Sequence, residues 1–244
     1  MDSYQSPRIN LYLSRAGLGS RRQVEQLVEQ GRVQVDGELV RNLATRVEEE
    51  QTVRVDGRVV HPSRGTVVFA LHKPPRVICS ARDEQGRPLA VDLVRPHFSG
   101  RLFSVGRLDF LTSGLLLFTN DGQLSRLLTK PRTGIEREYL VESKQPIPDD
   151  AMRSFVRGVR VDGVTYRAKS FDRKGISTVR LTLTEGKNRE IRQVFAHYKI
   201  TIKRIHRTRF GTVRLANMPS GAVRRLDDAD VRRLTALTQQ RGSR

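Results

Sequence analysis

The apolar residues in the first part of the chain recur at helical spacing. They predict a short amphipathic helix over residues 8–16 that ends at Gly17, and a second helix that begins after Ser20 and ends at Gly31. Gln23 lies three residues after Ser20, which is the spacing of a capping box. The apolar face of the second helix consists of Val24, Leu27 and Val28.

Two short runs of alternating valines follow. Each run has an Asp-Gly pair at its centre, one within residues 33–40 and the other within residues 53–60. An Asp-Gly pair between two strand-like runs is typical of a tight β-hairpin. We therefore predict two hairpins, which are too few copies for a repeat architecture.

From residue 66 onward the pattern favours strands. Residues 66–71 are β-rich, and we expect His72-Lys73-Pro74-Pro75 to turn the chain. Residues 101–105 are strand-like and residues 115–118 are apolar throughout, so we predict a buried strand there that is closed by the turn signal of residues 120–122.

The loop between these two strands contains the ionisable residues Arg107 and Asp109, followed by the small polar residues Thr112 and Ser113. An aspartate in such a loop either caps a turn or is a reactive group held on a rigid frame. Spacing alone leaves both alternatives open.

The rest of the chain mixes strands with helices of two to three turns. The pattern first predicts a helix with Leu124, Leu127 and Leu128 that ends at Pro131, a strand over residues 137–141, a helix from Pro148 to Gly158 and a hairpin around Asp162-Gly163. It then predicts a strand with alternating Val179, Leu181 and Leu183, and a helix capped by Asn188 with Ile191, Val194, Phe195 and Tyr198 on its apolar face. A basic strand-like run around His206, a helix over residues 227–238 and a frayed end over residues 239–244 follow.

Two sets of polar side chains in this part have open alternatives. Tyr139 lies in a strand, where its ring points either to the core or to a cleft. Arg189 and Arg192 lie away from the apolar face of their helix, where a basic pair is usually solvated.

The run Gly106-Arg107-Leu108-Asp109, together with residues 112–117 and 119–122, resembles the signature loop of ribosomal RNA pseudouridine synthases of the RsuA/RluB type. The resemblance implies that Asp109 is the catalytic residue. It also implies that Arg107 enters the RNA duplex as the target base leaves it. A Lys73-Pro74 pair opens the catalytic domain in this family.

Residues 184–195 resemble a further motif of the same family. The resemblance implies that Arg192 pairs with Asp109 and keeps this acid, which we expect to be buried, in its charged form. It implies that Ile191 lines the same pocket and that Tyr139 stacks under the target base. Lys187 and Arg189 belong to the same motif and are further candidates for contact with RNA, whereas Gln193 departs from the family, which commonly has a basic residue there.

Residues 7–61 resemble the small alpha-L RNA-binding domain of ribosome-associated proteins. The resemblance implies that Arg15, Arg21, Arg22 and Arg32 bind RNA phosphates, while a solvated basic face is the alternative. Together the two resemblances imply an α+β protein. We expect a small N-terminal α/β RNA-binding domain, a linker over residues 62–65, and a catalytic domain over residues 66–240 with a mostly antiparallel mixed sheet, a central cleft and flanking helices.

Composition agrees with a nucleic-acid partner. The 244 residues include 45 Lys and Arg against 26 Asp and Glu, a net charge of +19, and a polyanion is the natural partner of such a surface. With one cysteine, Cys79, no internal disulfide forms, and we expect this residue to be small and buried. No apolar run is long enough to span a bilayer and no signal-peptide core is present, so we expect a cytoplasmic protein without a membrane partner.

Other classes of enzyme lack support in the sequence. No Gly-rich phosphate-binding loop follows a strand, which argues against a nucleotide-driven enzyme or a methyltransferase. The five histidines lack metal-ligand spacing, so we expect no metal. We also expect no cofactor, because the implied isomerisation of uridine replaces one glycosidic bond by another.

The implied substrate is ribosomal RNA, as free RNA or in an assembling subunit. Residues 187–192 are closer to the large-subunit members of the family, which favours 23S RNA over 16S RNA. A non-enzymatic RNA-binding factor in ribosome assembly is the alternative class. Whether Asp109 attacks the sugar or removes a 2′ proton stays open, and we expect a monomer.

Overall fold

The computed structural model describes residues 6–62 and 65–239. It divides into two compact units, the first comprising Met1–Thr66 with Phe98–Arg101 and the second comprising Val67–His97 with Leu102–Arg244. Residues 63 and 64 of the predicted linker lie outside the described residues, as do residues 240–244 of the predicted frayed end, whereas Gln239, the first residue of that predicted end, belongs to the last helix.

The first unit combines two short helices with two hairpins. Its elements are α1 (Ile9–Arg15), α2 (Arg21–Glu29), β1 (Val33–Val35), β2 (Glu38–Leu39), β3 (Val53–Val55) and β4 (Arg58–Val59). The hairpins join through β1 and β3 into an antiparallel sheet of order β2-β1-β3-β4. This sheet and the two helices enclose an aliphatic core that includes Ile9, Leu13, Val24, Val28, Val33 and Val53.

Local sequence signals account for this unit. Ser20 and Gln23 make both hydrogen bonds of the predicted capping box, which begins α2. In both hairpins the Asp and the Gly have positive φ angles, with Asp36 at 52° and Asp56 at 51°, as the tight primed turns require. The predicted helices and hairpins are confirmed.

The second unit is built on a large sheet with helices packed against it. Its elements are β5 (Val68–Lys73), α3 (Ala90–Val94), β6 (Phe103–Val105), β7 (Ser113–Thr119), α4 (Gly122–Thr129), β8 (Arg137–Ser143), α5 (Asp149–Arg157), β9 (Val159–Val161), β10 (Val164–Tyr166), β11 (Ser170–Gly175), β12 (Thr178–Leu183), α6 (Glu190–His197), β13 (Ile202–Phe210), β14 (Val213–Arg214), β15 (Val223–Arg225) and α7 (Asp228–Gln239).

The strand order of this sheet is β11-β12-β8-β13-β7-β5-β15, with β14 added to β13 and β6 added to β7. Strands β7 and β13 run parallel, and every other strand pairing among the described residues is antiparallel. The predicted fold class, an α+β protein with a mostly antiparallel mixed sheet, is confirmed.

The sheet carries a separate hydrophobic cluster on each half. One cluster joins β8, β12 and β13 to α5 and α6 through residues such as Val141, Phe155 and Phe195. The other joins β5 and β7 to α4 and α7 through residues such as Leu117 and Leu234. Because the parallel pair β7 and β13 lies at the boundary, a loop preceding β7 and a helix preceding β13 come close together at one end of this boundary.

Three local predictions differ from the structure. Asn188 does not cap α6: the N-cap position is Arg189, with a left-handed φ of 51° and no side-chain capping bond. The predicted turn of residues 120–122 leads directly into a helix, because the carboxylate of Asp121 accepts hydrogen bonds from the backbone N–H groups of Gln123 and Leu124 and so caps α4. Strand β5 extends through Lys73, so the chain turns only at the prolines.

Candidate active site

The loop between β6 and β7 places Asp109 opposite a side chain from α6. The backbone N–H of Thr112 donates to the Asp109 carbonyl at 3.0 Å, which closes a turn directly after the acid. Arg192 Nε donates to Asp109 Oδ2 at 3.3 Å, and Arg192 Nη2 donates to Thr112 Oγ1 at 3.3 Å. One guanidinium thus joins both ends of the turn, and the structure brings together the two residues that the resemblance pairs.

The carboxylate of Asp109 is open to solvent. Its side chain is 43% exposed and that of Arg192 is 21% exposed. The expectation of a buried acid is therefore wrong for the protein without RNA, because the loop stands at the edge of the cleft.

Cavities lie on both sides of the Asp109–Arg192 pair. The larger, of about 720 Å³, lies between the loop of residues 78–87 and the turn after Asp109. The smaller, of about 110 Å³, is lined by Tyr139 and Ile191 together with the ion pair. A small pocket next to an open cleft suits a nucleotide that is taken out of an RNA strand.

Tyr139 lies on β8 and lines the smaller cavity while it also packs against the hydrophobic cluster beneath. The two readings of its strand position, core and cleft, therefore both apply. The Arg207 guanidinium lies 6.0 Å from the centroid of its ring. Ile191 is buried and forms an apolar wall of the same cavity.

The candidate basic residues of the cleft differ in their surroundings. Arg107 and Arg189 are exposed and line both cavities. Lys187 lines the smaller cavity, but its ammonium group donates to the Thr165 carbonyl at 2.6 Å and pairs with Glu185 at 2.5 Å. The ammonium group of Lys187 is therefore engaged within the protein.

Buried cations lie behind the cleft. Lys73 is fully buried, and its ammonium donates to the carbonyls of Pro74 at 2.7 Å and Val77 at 2.8 Å. Burial lowers the pKa of Lys73 to about 8, although Cys79 and Asp109 oppose this shift. The Lys73-Pro74 pair is recognisable in the sequence, but no pattern of neighbouring residues marks the lysine as buried.

Part of the basic run of β13 lies inside the protein. Arg207 and His206 are both buried, and Arg207 Nε donates to the Leu115 carbonyl at 2.6 Å. Arg209 pairs with Glu136 at 2.9 Å. Of this run, Lys203 and Arg204 are exposed.

Arg137 forms hydrogen bonds with the backbone of the segment that precedes α6. Its Nη1 donates to the carbonyls of Thr184 and Glu185, each at 3.2 Å. Close to this point Glu190 is buried, and no hydrogen-bond partner for its carboxylate oxygens lies among the described residues. Burial, with a contribution from Glu185, raises the pKa of Glu190 to about 7.

Comparison with known proteins identifies this arrangement. The profile of the RNA pseudouridylate synthase family matches residues 67–197, which is more than half of the chain, and an S4 domain matches residues 7–53. The chain belongs to the RNA pseudouridylate synthase family. It is an RNA pseudouridine synthase, an isomerase, and the resemblance stated from its motifs is confirmed.

Relatives of the synthase match nearly its whole length. An uncharacterized RNA pseudouridine synthase of Borreliella burgdorferi is 39% identical over 92% of this chain and 91% of the relative. The ribosomal large subunit pseudouridine synthase B of Bacillus subtilis is 34% identical over 94% of this chain and 96% of the relative. A crystal structure of a pseudouridylate synthase is 26% identical, with a TM-score of 0.67, and covers 94% of this chain and 100% of that chain.

The N-terminal unit of the synthase presents its candidate arginines in different states. Arg21 and Arg22 are exposed at the start of α2, and Arg15 is half-buried. Arg32 forms a two-pronged ion pair with Asp56, from Nε to Oδ1 at 2.9 Å and from Nη2 to Oδ2 at 2.6 Å. The charge of Arg32 is therefore matched within the protein.

Two further findings bear on the sequence-based expectations. Cys79 is half-buried, lines the larger cavity and accepts a hydrogen bond from the Leu108 N–H at 3.4 Å, so the expectation of a buried cysteine is wrong. Within residues 6–62 and 65–239 no cluster of three His, Cys, Asp or Glu side chains is suited to a metal ion. In the same part of the synthase no helix has the length and apolar character needed to cross a membrane.

Proposed function

We propose that the synthase converts a uridine of ribosomal RNA to pseudouridine, with Asp109 as the catalytic residue. The observation that carries this proposal is the Asp109–Arg192 pair, which stands between a base-sized cavity and an open cleft. The carboxylate is anchored by a guanidinium and by a closed turn, so it is held in one place before RNA binds.

The reaction needs few groups. The N-glycosidic bond between uracil N1 and C1′ of the ribose breaks, the uracil turns, and a bond forms between C5 and C1′, after which the C5 proton is lost and N1 is protonated. Asp109 either attacks C1′ and forms a transient ester, or removes the C2′ proton and leaves a glycal. Both routes need an ionised carboxylate at the sugar, and the position of Asp109 supports both.

The cavity next to Asp109 suits the detached base. Tyr139 and Ile191 provide an aromatic and an aliphatic surface on which a uracil ring can lie without leaving the protein. Arg107 stands where both cavities meet and would take the space of the extruded base in the RNA stack. Extrusion costs a few kcal/mol, which contacts between basic residues and phosphates offset.

The domain assignment is part of the proposal. Residues 7–61 would bind RNA backbone through Arg15, Arg21, Arg22 and Arg32, and residues 66–240 would carry the chemistry. A monomer is part of the same proposal. The large ribosomal subunit and its 23S RNA are the proposed substrate, because relatives bear the name ribosomal large subunit pseudouridine synthase B. With ribosomal RNA as its substrate, the synthase is proposed to act in the cytoplasm.

Deletion of the gene followed by complementation tests this proposal. Pseudouridine is mapped in 23S and 16S RNA from cells that lack the gene and cells that carry wild type, Asp109→Asn or Asp150→Asn. Asp150 is an exposed acid on α5 that pairs with Arg153, so its variant removes one charge outside the site. We expect one or more positions in 23S RNA to depend on wild type and Asp150→Asn but not on Asp109→Asn. Restoration by Asp109→Asn would contradict the catalytic assignment, and dependence only in 16S RNA would contradict the proposed subunit.

A further inference from the structure

Two large apolar side chains stand in solvent directly after Asp109. Phe110 is 39% exposed and Leu111 is 57% exposed, and both line the larger cavity. They occupy the two central positions of the turn that the Thr112 N–H closes on the Asp109 carbonyl. Such positions usually hold polar residues, Gly or Pro, so an adjacent apolar pair is unusual.

The turn that carries them is held firmly at its base. The Arg76 N–H donates to the Phe110 carbonyl at 2.6 Å, and Arg192 bridges Asp109 and Thr112 on the other side. The two apolar side chains therefore project from a fixed frame, as a binding element on a rigid support does.

The surroundings of the pair match the chemistry of RNA. The walls of the larger cavity carry more basic than acidic side chains, with Arg82, Arg87, Arg107, Arg189 and Arg192 against Asp83, Glu84 and Asp109. A nucleic acid offers apolar base faces next to an anionic backbone, and apolar side chains in such proteins insert between or stack on bases. Arg87 already pairs with Asp83 and Arg192 with Asp109, so a purely apolar protein surface would offer no anion to the remaining guanidinium groups.

Distance limits which nucleotides the pair can reach. Consecutive Cα atoms lie about 3.8 Å apart, so Phe110 and Leu111 begin within about 8 Å of the Cα of Asp109. Nucleotides follow one another by about 3.4 Å along a strand of a duplex. When Asp109 faces the sugar of the target, the side chains beyond it are within reach of the nucleotides next to the target.

We propose that Phe110 and Leu111 form a contact site for the nucleobase next to the target uridine. The pair lies against this neighbouring base, while Arg107 takes the space that the uridine leaves in the stack. This inference rests on the proposed function of Asp109 and adds residues that recognise the RNA around the target.

The test measures release of tritium from ribosomal RNA labelled at C5 of uridine, because C5 loses its hydrogen in the reaction. The RNA is isolated from a strain that lacks the gene and is grown with the labelled uridine. The variants are Phe110→Ala, Leu111→Ala and Phe110→Tyr. The matched control is Ile176→Ala, which removes an exposed aliphatic side chain (74% exposed) from the turn between β11 and β12, outside both cavities.

We expect each alanine variant at the pair to lower kcat/KM about tenfold, the scale of one lost base–aromatic contact. Phe110→Tyr keeps a stacking face and should stay close to wild type, as should Ile176→Ala. The slope of log kcat/KM against log salt concentration should not change in the two alanine variants, because they remove no phosphate contact, whereas Arg107→Ala should reduce it.

Three results would overturn the inference. They are an unchanged kcat/KM in both alanine variants, a loss that comes with a reduced salt slope, and a loss that comes with a lowered melting temperature. An unchanged kcat/KM would indicate instead that the exposed pair contacts a protein partner, which the purified assay does not contain. If wild type itself releases no tritium, the proposed function fails instead, so the two failures are distinguishable.

Discussion

Gly114 on β7 and Arg207 on β13 approach each other so closely that a Cβ atom on Gly114 would lie 2.2 Å from the Arg207 carbonyl oxygen. Gly114 also has a φ of 108°, a conformation that residues with a side chain rarely adopt. The contact lies at the parallel pairing of the two strands, Arg207 with Gly114. A glycine at this position is therefore required for the two halves of the sheet to join.

The first prediction concerns this contact. Gly114→Ala should lower the free energy of unfolding by about 3 kcal/mol or more, because the added methyl group meets backbone that cannot move and the backbone conformation is strained. Urea unfolding measures this change. The control is Gly175→Ala, where a Cβ would meet only ordinary contacts at 3.8 Å or beyond and φ is not left-handed. Equal stability of the two variants would show that β7 and β13 can separate without cost.

A second prediction separates charge from geometry at Asp109. Arg192→Lys keeps the positive charge but cannot bridge Asp109 and Thr112 with two nitrogens. We expect kcat to fall about 100-fold while KM changes little, since a misplacement of about 1 Å is enough for such a loss.

Stability measurements complete the test of Arg192. Partly exposed ion pairs contribute at most about 1 kcal/mol, so the melting temperature should stay near that of wild type. Arg153→Lys, at an exposed pair on α5, should leave both kcat and stability unchanged. Full activity in Arg192→Lys would show that the position of the carboxylate does not depend on the guanidinium fork.

A third prediction concerns RNA binding by the N-terminal unit. The double variant Arg21→Ala with Arg22→Ala should weaken binding of ribosomal RNA and reduce the slope of log affinity against log salt concentration by about one to two units. Arg32→Ala should change the slope less, because Arg32 is already paired with Asp56. Filter binding at several salt concentrations gives these slopes. An equal change in Arg32→Ala would mean that RNA replaces Asp56 as its partner.

Local features of the fold could be predicted because neighbouring residues decide them. The capping box of Ser20 and Gln23, the Asp-Gly hairpins and the alternation of β12 depend on contacts within a few residues. The prediction of the cap of α6 was wrong, because residue type alone does not decide where the chain enters a helix. Asn188 suits a cap by residue type, but the chain enters the helix through a left-handed Arg189 instead.

The charged interior behind the cleft could not be predicted. Strand β13 lies between β8 and β7, and residues 205–207 are all buried, so no alternation marks Arg207 as an inward residue. Its guanidinium is accommodated by the Leu115 carbonyl and the aromatic face of Tyr139, which come from distant segments, and by the ring of Phe210 on the same strand. Similarly, 83 residues separate Asp109 from Arg192, and only the family motifs, not their spacing, indicated that the two meet.

The last prediction uses the buried carboxyl of Glu190. Its pKa is about 7 in the folded protein against an ordinary value of 4.5, because burial and Glu185 disfavour the charged form while the charge of Lys187 opposes them only in part. Between pH 4.5 and 7 the folded state therefore holds a proton that the unfolded state has lost. The contribution of the Glu190 carboxyl to the free energy of unfolding is fully present below pH 4.5 and is lost as the pH rises through 7.

Glu190→Gln should remove this dependence, since an amide of the same shape does not ionise. Relative to wild type, the variant should gain stability as the pH rises from 4.5 to 8, by about 3 kcal/mol at about 1.4 kcal/mol per pKa unit. Taking the difference between the two proteins at each pH cancels the other groups, including His206, whose pKa burial lowers to about 4. Urea unfolding at pH 5, 6, 7 and 8 measures this difference. A difference that stays constant over this range would mean that Glu190 ionises in the folded protein as it does in water.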